Sequence, residues 1–123
     1  MSHVITGTVI KGSGIGKKLG LPPTMNVHTK EVPKTLKFGI YAVRVKMGGR
    51  FLPGVAHYGP RPAVHAPKSF EVHCWDFGRR KNMYGKKITV EIVKRLRPVK
   101  NFKTIAGLKR AIERDIAQAQ KIL

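Results

Sequence analysis

Three groups of residues in this chain have types and spacings that could do chemistry. The first is Gly12-x-Gly14-x-Gly16-Lys17-Lys18. Glycines let backbone N–H groups converge on an anion, and the lysines add charge. The named phosphate-loop templates do not fit: no Ser or Thr follows Lys17, and a lysine stands where the dinucleotide fingerprint needs its third glycine. The loop is therefore either an anion cradle or an ordinary mobile connection. The second group is Pro23-Thr24-x-Asn26. In an extended chain the Thr24 hydroxyl and the Asn26 amide point to the same side. Both offer hard, neutral oxygen atoms of the kind Mg²⁺ accepts beside water and phosphate. The same residues also make ordinary turns by bonding their own backbone. The third is Glu71. Between Val32 and Val90 the acids are Glu71 and Asp76. A carboxylate amid positive charge can accept a proton from a hydroxyl, or can simply pair with one of the 25 lysines and arginines.

These residues need elements to hold them. Val4–Ile10 is β-branched and reads as a strand running into the glycine-rich loop, which ends at Pro22-Pro23. Phe38–Met47 alternates, Gly48-Gly49 is a hairpin turn, and Arg50–Tyr58 returns as its partner. A loop is expected from Gly59 through Pro67, then a strand over Ser69–Phe77. Parity in that strand puts Phe70, Val72, Cys74 and Asp76 on one face and Glu71, His73, Trp75 and Phe77 on the other. His73 reads as structural and Cys74 as a small buried apolar group. A basic turn from Gly78 to Gly85 leads to a last strand over Lys86–Leu96. Ile105, Leu108, Ile112, Ile116, Ala119 and Leu123 then recur at spacings of three and four, with Thr104 placed as an N-cap. Five or six short strands and one terminal amphipathic helix predict a small antiparallel barrel with the helix packed against it.

The chain has 123 residues and a formal net charge of +19. That length suits a single domain, 1–123, with a core large enough to stand without disulfides. A lone cysteine excludes a disulfide framework and a cysteine-based zinc cluster. No apolar run reaches the length of a membrane span, and no secretory signal is evident, so a cytoplasmic protein is expected. The charge suits nucleic acid, phosphate-bearing small ligands, or a merely solvated basic surface. Weak, nonspecific polyanion binding is expected from it, and the protein is expected to be a monomer.

Taken in order, the motifs resemble the riboflavin kinase family. They are Gly7-x-Val9-x-x-Gly12, Gly16-x-x-Leu19-Gly20-Leu21, Pro23-Thr24-x-Asn26, Gly39-Ile40-Tyr41-Ala42-Val43 and Gly59-x-Arg61-Pro62. Phe70-Glu71-x-His73 with Asp76-Phe77, Tyr84-Gly85, Leu96-Arg97-Pro98-x-Lys100-Asn101-Phe102 and Leu108-x-x-x-Ile112-x-x-Asp115 complete the series. The resemblance covers nearly the whole chain. It implies a six-stranded antiparallel Greek-key barrel with a C-terminal helix, and transfer of the ATP γ-phosphate to the 5′-hydroxyl of riboflavin, giving FMN. It implies that Gly12, Gly14, Gly16, Lys18, Pro23, Thr24 and Asn26 meet the nucleotide, and that Thr24 and Asn26 hold Mg²⁺. Glu71 becomes the general base. Arg97 and Phe102 belong to a segment beside the flavin. Two departures bear on the site. Leu21 and Pro22 together add one residue beside Thr24, which would shift the loop, and Met25 would narrow the space between Thr24 and Asn26. The chain is expected to be a stand-alone kinase or an excised domain. The competing reading is a basic β-barrel without catalysis that holds nucleic acid or flavin.

Overall fold

The computed structural model describes residues 3–12, 20–61, 66–76 and 83–123. Its strands are β1 (Val4–Ile10), β2 (Met25–Val27), β3 (Gly39–Met47), β4 (Arg50–Arg61), β5 (Ala66–His73) and β6 (Lys87–Arg97), followed by helix α1 (Ile105–Ile122). The strands close into an antiparallel barrel in the order β1-β2-β5-β4-β3-β6. Strands β3, β4 and β5 are sequential neighbours, and β6 returns to lie beside β3. That is the Greek-key arrangement.

The period of two sorts the side chains. Ile5, Val9, Val27, Val43, Val45, Phe70, Val72, Ile88 and Val90 point inward and are almost fully buried. The β3–β4 hairpin turns on Gly48 and Gly49, whose φ values of 55° and 83° are left-handed, as a tight two-residue turn requires. On β3 the outward residues Ile40 and Ala42 are also buried, because α1 lies over them. With Val55 of β4 they pack against Ala119, Ile116 and Ile122, forming a second apolar layer outside the barrel. Thr104 caps the helix: its Oγ1 accepts the Gly107 N–H at 3.0 Å.

The structure differs from the sequence expectation in three places. Met25–Val27, to which no element was assigned, is a strand, and Asn26 bonds into the ladder between β1 and β5. Strand β4 continues through Gly59 to Arg61, with an irregularity in register between those two residues. Strand β5 begins at Ala66 and ends at His73, so Trp75 and Asp76 sit in a turn and Asp76 is exposed. Phe77 and the basic run Arg79-Arg80-Lys81 lie outside the described residues. Among the described residues, no helix is long and apolar enough to cross a membrane.

Candidate active site

One cross-strand row organises the outer wall. Reading across the pairings, Ile10 faces Asn26, Asn26 faces Glu71, Glu71 faces His57, His57 faces Ile40, and Ile40 faces Arg97. The barrel thus presents Asn26, Glu71, His57 and Arg97 from four different strands along one line. Their neighbours along each strand point into the core. Met25 and Val27 flank Asn26, and Phe70 and Val72 flank Glu71, all buried.

Glu71 is held by hydroxyls. Thr24 Oγ1 donates to Oε1 at 3.3 Å and Ser69 Oγ donates to Oε2 at 2.9 Å. Ser69 is two residues earlier on the same face of β5, and Thr24 stands just ahead of β2. Thr24, Asn26 and Glu71 are thus brought together on one side of the wall. Gly12 completes it from the β1 side: a Cβ at Gly12 would lie 2.5 Å from the Asn26 amide nitrogen. Only glycine lets the chain pass that close. Gly14, Gly16 and Lys18 lie outside the described residues.

Two clefts meet at Glu71. The first opens between the outer wall and α1. Its floor is Ile40, Val55, His57, Glu71 and His73, and its helix side is Leu108, Ile112 and Ile116. Leu21, Pro22, Thr24, Arg97, Lys100 and Phe102 close its ends. The second cleft lies on the other side of Asn26 and Glu71. It is lined by Lys11, Gly12, His28, Lys68 and Ser69. The first is mainly apolar, with Arg97 and Lys100 at its ends, and the second sets Lys11 and Lys68 beside Asn26, Thr29 and Ser69.

Arg97 and Phe102, expected beside the flavin, both line the first cleft. The Arg97 guanidinium is already engaged. Nε and Nη2 donate to the two Asp115 carboxylate oxygens at 2.8 and 2.7 Å, and Nη1 donates to the Pro98 carbonyl at 3.2 Å. It also lies 5.6 Å from the centre of the Phe102 ring, and Lys100 Nζ lies 5.7 Å from it. Asp115 occupies a buried position on the packed face of α1. The ion pair thus fixes the helix to the end of β6.

Of the two departures near Thr24, the shift expected in the loop falls on residues 13–19, outside the described residues. Leu21 is buried and Pro22 packs at the cleft end, leaving Thr24 within reach of Glu71. Met25 points into the barrel core, on the opposite side from Thr24 and Asn26, and narrows nothing between them. Pro23 does not line either cleft in the way Thr24 and Asn26 do; its carbonyl oxygen lies 2.8 Å from Nδ1 of His73. Cys74 is buried, and burial with the nearby Asp76 charge pushes its thiol up to about 12.

Sequence reasoning missed four site residues. Ser69 shares the Glu71 face by simple parity, which could have found it. Asp115 was visible as an acid in the apolar stripe of α1, between Ala111 and Ala119. His57 and Lys68 carried no signal, since their places depend on the β4–β5 register.

The outer wall of this closed six-stranded barrel carries a carboxylate held by two hydroxyls, where two clefts meet. The riboflavin kinase family model (Flavokinase) matches residues 1–123, and the chain belongs to that family. It is 35% identical over 120 residues to the RNA-binding riboflavin kinase RibR of Bacillus subtilis (strain 168), a match covering 96% of this chain and 50% of that protein. It is 37% identical over 122 residues to the bifunctional riboflavin kinase/FMN adenylyltransferase of Pseudomonas fluorescens, covering 96% of this chain and 37% of that one. The chain thus spans half or less of the length of these curated relatives. A solved riboflavin kinase from Trypanosoma brucei shares the fold, with a TM-score of 0.64 at 17% identity, covering 99% of this chain and 80% of that one.

Proposed function

We propose that this protein is a riboflavin kinase, transferring the γ-phosphate of ATP to the 5′-hydroxyl of riboflavin. The observation that carries this reading is the position of Glu71, which borders both clefts. A reaction between an apolar tricyclic alcohol and a polyphosphate needs two such spaces and one base at their junction. The apolar cleft suits the flavin ring, and the side lined by Lys11 and Lys68 suits the phosphates.

Glu71 accepts the proton of the 5′-hydroxyl as the oxygen attacks phosphorus. The new O–P bond forms, the bond to the bridging β,γ-oxygen breaks, and ADP leaves. Thr24 and Ser69 hold the carboxylate still, so it is oriented before the acceptor arrives. Lys11 and Lys68 offset the charge that spreads over the phosphoryl oxygens.

Thr24 and Asn26 fit Mg²⁺ as donors. They supply neutral oxygens on the Glu71 side of the wall, and the Thr24 oxygen keeps lone pairs while its hydrogen is donated to Glu71. When bound there, the ion would neutralise phosphate charge. Incubation with riboflavin and Mg-ATP, with chromatography for FMN, tests the reading. Folded protein that makes no FMN with ATP, CTP or GTP under any divalent metal rejects it.

The net charge of +19 exceeds what two small anionic substrates need. It supports weak, salt-sensitive binding of polyanions beside catalysis. A purely nucleic-acid-binding barrel has no use for a carboxylate held by two hydroxyls at the meeting of two clefts.

A further inference from the structure

His73 lies two residues beyond Glu71 on the same face of β5, at the wall of the apolar cleft. Its Nδ1 is 2.8 Å from the carbonyl oxygen of Pro23. A carbonyl can only accept, so Nδ1 carries the hydrogen and donates it. The bond joins the strand bearing the base to the residue immediately before Thr24.

Backbone pairing does little for this stretch. Strand β2 is three residues long, with register partners from Val27 back to Met25 on β5 and only Val27 and Asn26 on β1. The ladder stops short of Thr24. Pro22 and Pro23 have no N–H and cannot extend it. A side-chain donor is what remains to anchor the Pro23 carbonyl.

We propose that His73 is a positioning residue that ties the Pro23-Thr24 segment to β5, so that Thr24, Asn26 and Glu71 keep one geometry as nucleotide enters and leaves. The proposal rests on the kinase reading for its catalytic consequence. The tether itself has a consequence in the ligand-free protein.

Three variants test it. His73→Phe keeps a ring but removes the donor, and His73→Ala removes both. His73→Asn places an amide nitrogen where Nδ1 stood. In ligand-free protein, backbone amide exchange across Thr24–Val27 should quicken about three- to tenfold in the Phe and Ala variants, the scale of one net hydrogen bond. Exchange in β3 should not change, and His73→Asn should restore the wild-type rate. In steady-state assays the KM for Mg-ATP should rise by a similar factor in the Phe and Ala variants, and Asn should recover it. Unchanged exchange in His73→Phe overturns the proposal. So does failure of Asn to restore it, or altered exchange with an unchanged KM in an active enzyme. Should the wild type make no FMN, the kinase reading fails while the exchange arm still decides the tether.

Discussion

Asn26 of β2 and Glu71 of β5 stand directly opposite each other in an antiparallel pair, so the amide and the carboxylate share one side of the barrel wall. Cβ atoms in such pairs are about 4.5–5.5 Å apart. A small hard cation liganded by the amide oxygen would sit close to the Glu71 carboxylate. That proximity underlies the first two predictions.

Glu71→Gln keeps the shape of the side chain and removes its basicity. FMN formation should fall by at least about 10²-fold, the lower end of the general-base range. Binding of riboflavin and ADP, measured by calorimetry, should stay within a few-fold. Asp76→Asn, in an exposed turn, should be much milder. The reverse ranking means that the wrong carboxylate was assigned.

Thr24→Ala and Asn26→Ala should each raise the Mg²⁺ concentration needed for half-maximal rate and leave the melting temperature nearly unchanged. Thr24→Ala should also lower kcat, because it strips Glu71 of one hydroxyl donor. A magnesium titration of initial rates separates the two effects. Full activity at limiting Mg²⁺ removes that residue from the metal side.

Breaking the Arg97–Asp115 pair should cost stability. The Asp115 side chain is 6% exposed, and Arg97→Ala would strand its carboxylate under the helix. Removing one partner of a buried pair costs about 3–5 kcal/mol, which for a domain of this size lowers the melting temperature by about 10–20 °C. Arg97→Met combined with Asp115→Leu should recover most of that loss. If Arg97→Ala melts normally but binds flavin poorly, the arginine serves the ligand and not the helix.

Binding of single-stranded RNA or DNA should weaken steeply as salt rises, because it depends on counterion release. Fluorescence anisotropy between 50 and 200 mM salt, roughly the span over which such contacts lose most of their strength, measures it. Sequence preference surviving at physiological salt would show a dedicated nucleic-acid site instead.

Cys74 gives a pH prediction. Its thiol rises from 9.0 to about 12 in the fold, so the folded state favours the neutral form. The associated stability is complete below the unfolded value and is lost as pH climbs from about 9 toward 12. Thiol reagents should label the native protein slowly at pH 8 and the unfolded chain quickly. Denaturant titrations at pH 8 and pH 10 should show lower stability at the higher pH.

Much of this was legible in the residues. Strict alternation in Phe70-Glu71-Val72-His73 separated Glu71 and His73 from Phe70 and Val72, because a strand offers only two faces; which face is the core follows from barrel closure. The change of period after Thr104 announced α1. The three-residue β2 was not legible: it is a strand only because β1 and β5 flank it with compatible register. Gly59-Pro60 reads as a loop, and pairing with β5 overrides that reading. His73 looked structural because nothing local shows which carbonyl it meets 50 positions away.

The two clefts that flank Glu71 have a consequence for inhibition. A single molecule carrying an apolar tricycle at one end and a polyphosphate at the other would fill both at once. Once its first half is seated, the second half meets its cleft at an effective concentration set by the linker, in the millimolar range for a short flexible one. Avidity would then exceed that of either half alone. A linker too short to round the carboxylate would forfeit the gain entirely, so the span across one strand face becomes a molecular ruler.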